Sequence, residues 1–586
     1  MSRYAFNLLV MVIIGLITLL VGVGAAKFGL PVSLEQSMVA AFFASVVTWI
    51  LLEPAVFQKL KYICNELDWA DESVRLYHAV PVKYRQSFWI LFAFINVAFL
   101  FNTINFMWGN EDWGAVRFAV DHNESLSAGS FSAYWLQELL FDGKILPVIN
   151  NLWCFAGLSL AGVLLAVYWN LPQRATPIVF TGLLFAVTPF TLAVLYFAKT
   201  SLGVLFAPAL VLIALLIADK KQNSEISSYL ANLCSVLLFL IALGTYMPVI
   251  NFAAVAILGQ IFLKTVYADI KFRDAANRTV QGVVNLAAAL MLYVLILYLL
   301  NDANHLDEVH AAALNLALPL ERLPLVLKYA ALQFALPLPF MDWVYKAVYG
   351  VLLALALFTL IFKAPSVKAS VRGLILIPFL VIASVLALAF VAEPHVHFTR
   401  MSFFGLTFFY ALMFVLIIRL DGKNISRVAY ILAGLLIFMN FVRVAYAEKV
   451  WKFGWDAETK LAERIITRME KMPEFNIDRR YKLLQIGEKS LRAKYYIKTP
   501  FEVPVGELLA KAYYPEGHAK EAYNFFYQTD FLEGDAEVEA VNEPVIRDYL
   551  LTKARAWPAK ESLFIYGNYI VLILDDEALA KVQQQL

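Results

Sequence analysis

The sequence predicts a polytopic α-helical membrane protein with a C-terminal soluble α/β domain. Hydrophobic residues make up 61% of the chain and charged residues only 16%, against about 45–50% and about 25% in soluble globular proteins. The charged residues are also unevenly placed. Residues 1–446 consist mostly of apolar runs of the length, roughly 18–25 residues, that a helix needs to cross a bilayer.

About thirteen of these runs are long enough to be transmembrane helices. The first is too long for the core of a signal peptide and lacks a small-residue cleavage site, so we expect it to be retained. The predicted spans are 4–26, 33–56, 87–108, 147–169, 176–198, 201–218, 227–245, 247–268, 280–300, 343–362, 372–392, 401–418 and 428–446.

The basic residues of the short loops predict the orientation. With the N-terminus in the cytoplasm, the cytoplasmic segments hold 18 Lys and Arg residues and the opposite segments hold 7, as the positive-inside rule requires. An odd number of spans then places residues 447–586 outside, together with two long loops, 109–146 and 301–342. The predicted parts are therefore an N-terminal pair of spans with a cytoplasmic loop (1–86), a main membrane region (87–446) and an outer tail (447–586).

The tail has the pattern of a small α/β domain. Residues 456–472 have helical apolar spacing, and strand-like runs follow at 481–487 and 563–574, the second with Gly567-Asn568 as its turn. The three cysteines show neither a disulfide framework nor metal-type spacing. The cytoplasmic loop 58–86 mixes basic and acidic residues. It is either a solvated loop or a docking surface for a partner enzyme.

Acidic residues directly after the third span are the first candidates for chemistry. Glu111 and Asp112 are suited to accept a proton from a sugar hydroxyl, and Arg117 could neutralise a leaving phosphate through bidentate contacts. The alternative is that the acidic pair only ends the helix at the membrane surface. Aromatic residues of the same loop could stack on sugars or form the interfacial belt.

A second group of candidates lies in residues 393–400 (EPHVHFTR), which we expect to form a short outer loop. Arg400 could bind phosphate with help from His395 or His397, or it could simply anchor the helix at the interface. His-x-His on an extended segment is also a metal-ligand spacing, but no second cluster completes a site. We predict no cofactor and no metal, although a divalent ion stays compatible with these residues.

Several of these segments together resemble a known family. After the acidic pair come Gly and Arg, then Gly129-Ser130-Phe131-Ser132-Ala133-Tyr134-Trp135-Leu136, and Leu146-Pro147 opens the next span. Gly244-Thr245-Tyr246 stands at a tight outer hairpin, Arg400 precedes a late span, and Ala462-Glu463-Arg464-Ile465-Ile466 opens the tail. This pattern, over residues 87–490, is similar to the type II Gtr family, the O-antigen serotype-converting glucosyltransferases of the GT-C class.

The resemblance implies a GT-C-like fold and an inverting glycosyltransferase at the periplasmic face of a bacterial inner membrane. Its partners would be a polyprenyl-phosphate-linked sugar donor, a glycan or lipid-linked glycan acceptor, membrane lipid and a lipid-linked-sugar synthase or flippase, but no nucleic acid. Asp112 becomes the base, with Glu111 beside it. Arg117, Arg400, Tyr246, His395 and His397 become the binding candidates. The family often has Gly-Arg-aromatic where this chain has Gly129-Ser130-Phe131, so the missing cation falls to Lys144.

Two hypotheses that assign the chain to other functional classes stay open. A transporter or lipid flippase would carry ionisable residues near mid-membrane, whereas here the charges gather at the outer rim. A structural protein whose tail binds a partner would keep its function in an Asp112→Asn variant. Within enzymes, a GT-C relative that glycosylates protein or polymerises glycan is a further alternative.

Overall fold

The structure is a computed structural model that describes residues 77–105, 129–195, 197–219, 225–268, 270–277, 279–302, 322–335, 343–389, 394–420, 424–487 and 543–586. Contacts divide the chain into two units, residues 1–85 with 221–231 and residues 86–220 with 232–586. In the first unit, the Arg85 guanidinium lies over the ring of Tyr77 and 3.2 Å from Nδ1 of His78. The second unit contains almost all of the described chain.

Helices make up most of the described chain. Up to the middle of the chain they are α1 Val82–Ala98, α2 Leu100–Ile104, α3 Phe131–Phe141, α4 Pro147–Tyr168, α5 Ala175–Ala186, α6 Pro189–Leu195, α7 Ala198–Asp219, α8 Glu225–Thr245, α9 Val249–Tyr267 and α10 Phe272–Asn277. They continue as α11 Val280–Asp302, α12 Leu323–Ala335, α13 Trp343–Lys363, α14 Val367–Ala383, α15 Pro394–Leu420 and α16 Asn424–Glu470. The tail adds β1 Lys482–Ile486, α17 Pro544–Thr552, β2 Leu563–Tyr566, β3 Tyr569–Ile573 and α18 Asp576–Gln585.

Seven of the described helices are long and apolar enough to cross a membrane, or eight if the bent pair α5–α6 counts as one span. The pair bends by 58°, where Pro189 opens α6 and cannot donate a helical hydrogen bond. The thirteen predicted spans are therefore not confirmed as a number. Three of them correspond to shorter described helices, α1, α14 and the apolar part of α15, and the first two predicted spans lie outside the described residues.

Some buried polar side chains in the bundle bond to the main chain of a neighbouring segment. Trp169 Nε1 donates to the Ala256 carbonyl at 3.1 Å, and Asn150 Nδ2 donates to the Ala198 carbonyl at 3.2 Å. Asn251 Oδ1 accepts from the main-chain N–H of Ala387 at 2.6 Å. Because an unpaired polar group inside lipid costs several kcal/mol, each bond fixes how two helices sit against each other.

The last membrane helix does not end at the bilayer surface. The sequence suggested a span at 428–446 and a separate amphipathic helix at 456–472, but α16 runs unbroken from Asn424 to Glu470. At 1.5 Å per residue its 47 residues extend about 70 Å, more than twice the roughly 30 Å hydrocarbon layer. The prediction of two helices was wrong because the polar residues after 446 mark a change of solvent, and helical hydrogen bonding continues through it.

The end of α16 packs on a three-stranded sheet of order β1-β3-β2. β1 pairs with β3 in parallel, with Lys482 opposite Tyr569, and β2 pairs with β3 as an antiparallel hairpin. The strand-like runs at 481–487 and 563–574, with the turn at Gly567-Asn568, are confirmed by these strands. That residues 447–586 form one soluble domain stays a prediction, because residues 488–542 lie outside the described chain.

Both faces of this sheet are covered by helices. Ile570 and Leu572 of β3 pack with Ile465 and Met469 of α16. The alternate residues Val571 and Ile573 join a second cluster with residues of α17 and α18, among them Ile546, Leu550 and Leu579. The period of two along β3 therefore explains why its residues are apolar on both faces.

Candidate functional site

One end of the helix bundle brings together several segments that the sequence singled out. We call this end the rim and define it by the starts of α4, α7, α9 and α15 and the end of α8. Residues 131–141, part of the first outer loop, form α3 here. Gly129 precedes α3 at φ +65°, a conformation that glycine adopts at little cost. Its carbonyl accepts a hydrogen bond of 3.4 Å from the Tyr293 hydroxyl of α11.

The start of α3 rests on two glycines of neighbouring helices. A Cβ added to Gly244 would lie 2.5 Å from both the Phe131 ring and the Ser132 hydroxyl. A Cβ added to Gly203 would lie 3.3 Å from the Ala133 Cα. We call this contact the α3 seat. It joins two of the segments that carried the family resemblance, Gly129–Leu136 and Gly244-Thr245-Tyr246, although 108 positions separate Leu136 from Gly244.

Tyr246 follows in the tight turn between α8 and α9, as predicted. Its ring centroid lies 5.7 Å from that of Phe404 on α15. Arg400 precedes Phe404 by one turn of the same helix. The turn that carries Tyr246 is therefore packed against the first turns of α15, next to the position of Arg400.

Residues 394–400 are helical, so the prediction of a loop at 393–400 was wrong. Pro394 begins α15, which suits proline because the first N–H of a helix has no intrahelical acceptor. His395, His397 and Arg400 thus belong to the first two turns of α15, and an extended His-x-His ligand spacing does not apply. Their side chains lie outside the described part, so their predicted binding roles stay predictions.

Lys144 is exposed and paired. Its Nζ donates to a carboxylate oxygen of Asp142 at 2.7 Å. The hydrogen bond and charge of Lys144 lower the pKa of Asp142, and Asp142 in turn raises the pKa of Lys144. Gln137 holds this turn to α3 by donating to the Lys144 carbonyl at 2.6 Å. The Lys144 ammonium group is therefore open to solvent.

Three predicted site residues of the first outer loop, Glu111, Asp112 and Arg117, lie in residues 106–128, which the structure does not describe. Of the second outer loop, α12 is described. It packs against α14 and the short 3-10 turn Leu386–Ala389, which follows α14. In the described ranges no group of three His, Cys, Asp or Glu side chains could hold a metal ion.

A buried carboxylate was not among the predicted site residues. Glu448 lies two positions beyond the predicted end of the last span, within the predicted tail. In the structure its exposed fraction is only 1%. Its position in the sequence could have indicated this burial. Glu448 follows Asn440 by eight positions and Val444 by four, so the three residues share one face of α16, and all three are buried.

These observations define a polytopic helical membrane protein with a set of convergent segments at one end of its bundle. A family model described as Glucosyl transferase GtrII matches residues 115–420, which is just over half of the 586 residues. The chain belongs to this family of glucosyl transferases. No curated protein and no solved structure matches the chain.

The matched segment includes the whole of the rim. It contains the α3 seat, Lys144, Tyr246 and Arg400, and it ends with α15 at residue 420. It starts three positions after Asp112. The resemblance to the type II Gtr family is therefore confirmed, while the role of the acidic pair rests on the residues themselves.

Proposed function

We propose that this protein transfers glucose or a similar hexose from a polyprenyl-phosphate donor to a cell-surface glycan such as O-antigen. Transfer takes place at the rim, on the periplasmic face of a bacterial inner membrane, with the N-terminus in the cytoplasm and the tail outside. The fold is of GT-C type. Membership of the glucosyl transferase family supports the reaction class, and the excess of basic residues in the predicted cytoplasmic loops supports the sidedness.

The observation that carries the location of the site is the convergence at the rim. Contacts at Gly244, and the ring pair Tyr246–Phe404, bring α3, the α8–α9 turn and the start of α15 to one end of the bundle. The sequence places Asp112 and Arg117 in the segment between α2 and α3. Both flanking helices are held at this end, since α2 contacts α4 and α3 contacts α7.

In the reaction that we propose, Asp112 removes the proton from an acceptor hydroxyl, and Glu111 is its neighbour. The freed oxygen attacks the anomeric carbon from the side opposite the phosphate. The new glycosidic bond forms as the bond between carbon and phosphate oxygen breaks, and the configuration inverts. The electron pair leaves on the lipid phosphate, where Arg400 and Arg117 stabilise the developing charge. Lys144, Tyr246, His395 and His397 complete the contacts to the headgroup.

The test uses the purified full-length chain in lipid nanodiscs with polyprenyl-phosphate glucose and an O-antigen acceptor. We expect Asp112→Asn to lower kcat by about 100- to 10,000-fold, the usual contribution of a general base. We expect Arg400→Ala to cost about 100-fold or more, as loss of one charge-stabilising donor does. Glu138→Gln, a carboxylate on α3 in the same loop, serves as the matched control and should stay near wild type.

Two results would contradict the proposal. Normal turnover by Asp112→Asn would remove the base assignment. Movement of the intact lipid-linked sugar across the bilayer, without glycosidic bond formation by the wild type, would favour the flippase alternative. A reporter fused after Leu586 tests the sidedness separately, because a cytoplasmic signal would reverse the predicted topology.

A further inference from the structure

The buried side of α16 keeps one direction along the whole helix. In the bundle this helix buries residues spaced by three or four, namely Ala429, Ala433, Leu436, Asn440, Val444 and Ala447. In the tail, Leu461, Ile465 and Met469 pack on the sheet. Ala429 and Ile465 are both fully buried and stand 36 positions apart, which is about ten complete turns at 3.6 residues per turn. They therefore lie on the same side of the helix.

The opposite side of α16 is exposed in both regions. In the bundle, Ile431 and Phe438 are exposed, and in the tail Glu463 and Thr467 are exposed. Ile431 and Thr467 are again 36 positions apart. No proline interrupts the helix, so it lacks the commonest cause of a sharp kink. The buried side therefore does not turn between the bundle and the tail.

α16 leaves the bundle at the rim. α15 starts at the rim, and only residues 421–423 separate its end from the start of α16. The two helices pack against each other, and neighbours joined by so short a connection run antiparallel. α16 thus starts at the opposite end of the bundle and reaches the rim before it continues into the tail.

The tail sheet is therefore held above the rim and not beside the bundle. Within the bundle the buried side of α16 packs against α2, α5, α6, α13 and α15, so this side points toward the bundle interior. The sheet packs on the same side. Leu461 follows Ala447 by 14 positions, about 21 Å along the helix axis. The tail thus stands over the segments that converge at the rim, at a height that a few linked sugars span.

We propose that the tail holds the acceptor glycan over the rim and that α16 sets the direction of the tail. This inference rests on the function proposed above. The acceptor must present one hydroxyl at the rim while the rest of its chain extends away from the membrane. A glycan that contacts the tail and the rim together gains effective concentration at the second site. A single sugar is too short to gain in this way.

The kinetic test changes the direction of the tail and none of its residues. Alanines are inserted between Thr459 and Lys460, beyond the bundle contacts and before the sheet contacts. Two alanines turn the tail by about 200° and lengthen α16 by about 3 Å, whereas four turn it by about 40° and lengthen α16 by about 6 Å. A glycan chain takes up a few ångströms by bending, but it cannot follow the tail to the other side of α16.

With a long glycan acceptor, we expect two alanines to lower kcat/KM for the acceptor about 100-fold or more, the usual loss when geometry forbids contact with both sites. Four alanines should lower it less than about tenfold, although they lengthen the helix more. The KM for the donor should stay that of wild type in both variants. The matched control is a single-sugar acceptor, with which both variants should turn over like wild type.

A structural readout needs no transfer reaction. With the three native cysteines replaced by alanine, spin labels at Ile149→Cys in α4 and Thr552→Cys in α17 report the distance between rim and tail. Both positions are exposed. Since packed layers lie about 10 Å apart, two alanines should lengthen this distance by about 10 Å or more, and four should change it by only a few ångströms. Limited proteolysis of the tail, unchanged in both variants, shows that the sheet stays folded.

The outcomes distinguish this proposal from the proposed function. Wild-type turnover of the long acceptor by the two-alanine variant would overturn the proposal, because the direction of the tail would not matter. A loss that grows with the number of alanines, or an equal loss with the single-sugar acceptor, would also overturn it. Failure of the wild type to transfer sugar to either acceptor would instead contradict the proposed function, and the spin-label distances would then test only the position of the tail.

Discussion

The membrane bundle and the tail sheet are held together by different kinds of contact. In the bundle, helices approach where one of them has a glycine. The Gly162 Cβ position lies 3.2 Å from the Gly182 Cα, and a Cβ on Gly405 would overlap the Ser384 carbonyl oxygen. In the tail, branched aliphatic residues fill both faces of β3. The bundle thus has close approaches at glycines, some of them to the main chain of a neighbouring segment, whereas the tail core is built from contacts between aliphatic side chains.

The difference follows from the solvent that each region displaces. Lipid chains are as apolar as a leucine side chain, so membrane helices gain from close approach and polar contacts rather than from burying apolar area. Removing aliphatic side chains from water stabilises the tail by about 25 cal/mol per Å² of buried area. A larger side chain in place of a glycine should therefore destabilise the bundle most. Truncation of a buried aliphatic side chain should destabilise the tail most.

The largest expected effect is that of Gly405→Ala in α15. The new methyl group would overlap the main chain of Ser384, which cannot move aside as a side chain can. We expect a loss of stability at the upper end of the usual overpacking range, about 3 kcal/mol or more. Thermal unfolding and the monodisperse fraction after extraction measure it. Gly350→Ala in α13 is the matched control, since nothing lies within 4 Å of its Cβ position, and equal damage there would contradict the argument.

A smaller and more local effect is expected from Ile570→Ala in β3. Ile570 is fully buried against α16, and removal of such a side chain costs about 2–5 kcal/mol. Limited proteolysis should show faster cleavage in residues 456–586 while the membrane helices stay protected. The control variant Leu551→Ala, on the half-exposed face of α17, should be cleaved at the wild-type rate. Simultaneous unfolding of the bundle in Ile570→Ala would mean that the two regions are not packed independently.

The smallest effect is expected from Lys144→Met. The pair with Asp142 is exposed on both sides, and water screens such pairs strongly. Because the pair lowers the folded pKa of Asp142, its small stabilising effect is present above the unfolded pKa of that residue. The effect is lost as the pH falls through the lowered value. The melting temperatures of variant and wild type should therefore differ little at pH 7 and converge in acid, whereas a donor KM raised tenfold or more would support the phosphate contact.

The sequence predicted much of the fold but only part of the site. Apolar runs predicted most of the described helices, and Gly567-Asn568 predicted the β2–β3 hairpin, because both signals are local. The length of α16 was missed because hydropathy reports the change from lipid to water and not the continuity of the backbone. The helical start of α15 was missed because Pro394 and two histidines have the composition of a loop, although proline also opens helices.

Composition alone determined that this chain is a membrane protein, since no soluble core requires so many long apolar runs. Local residue pattern determined the family resemblance and the strands of the tail. Only the tertiary structure decided that Gly244 meets Phe131 and that Tyr246 meets Phe404. These pairs are far apart in the chain, and their contact depends on helix directions and crossing points that no local pattern of residues encodes.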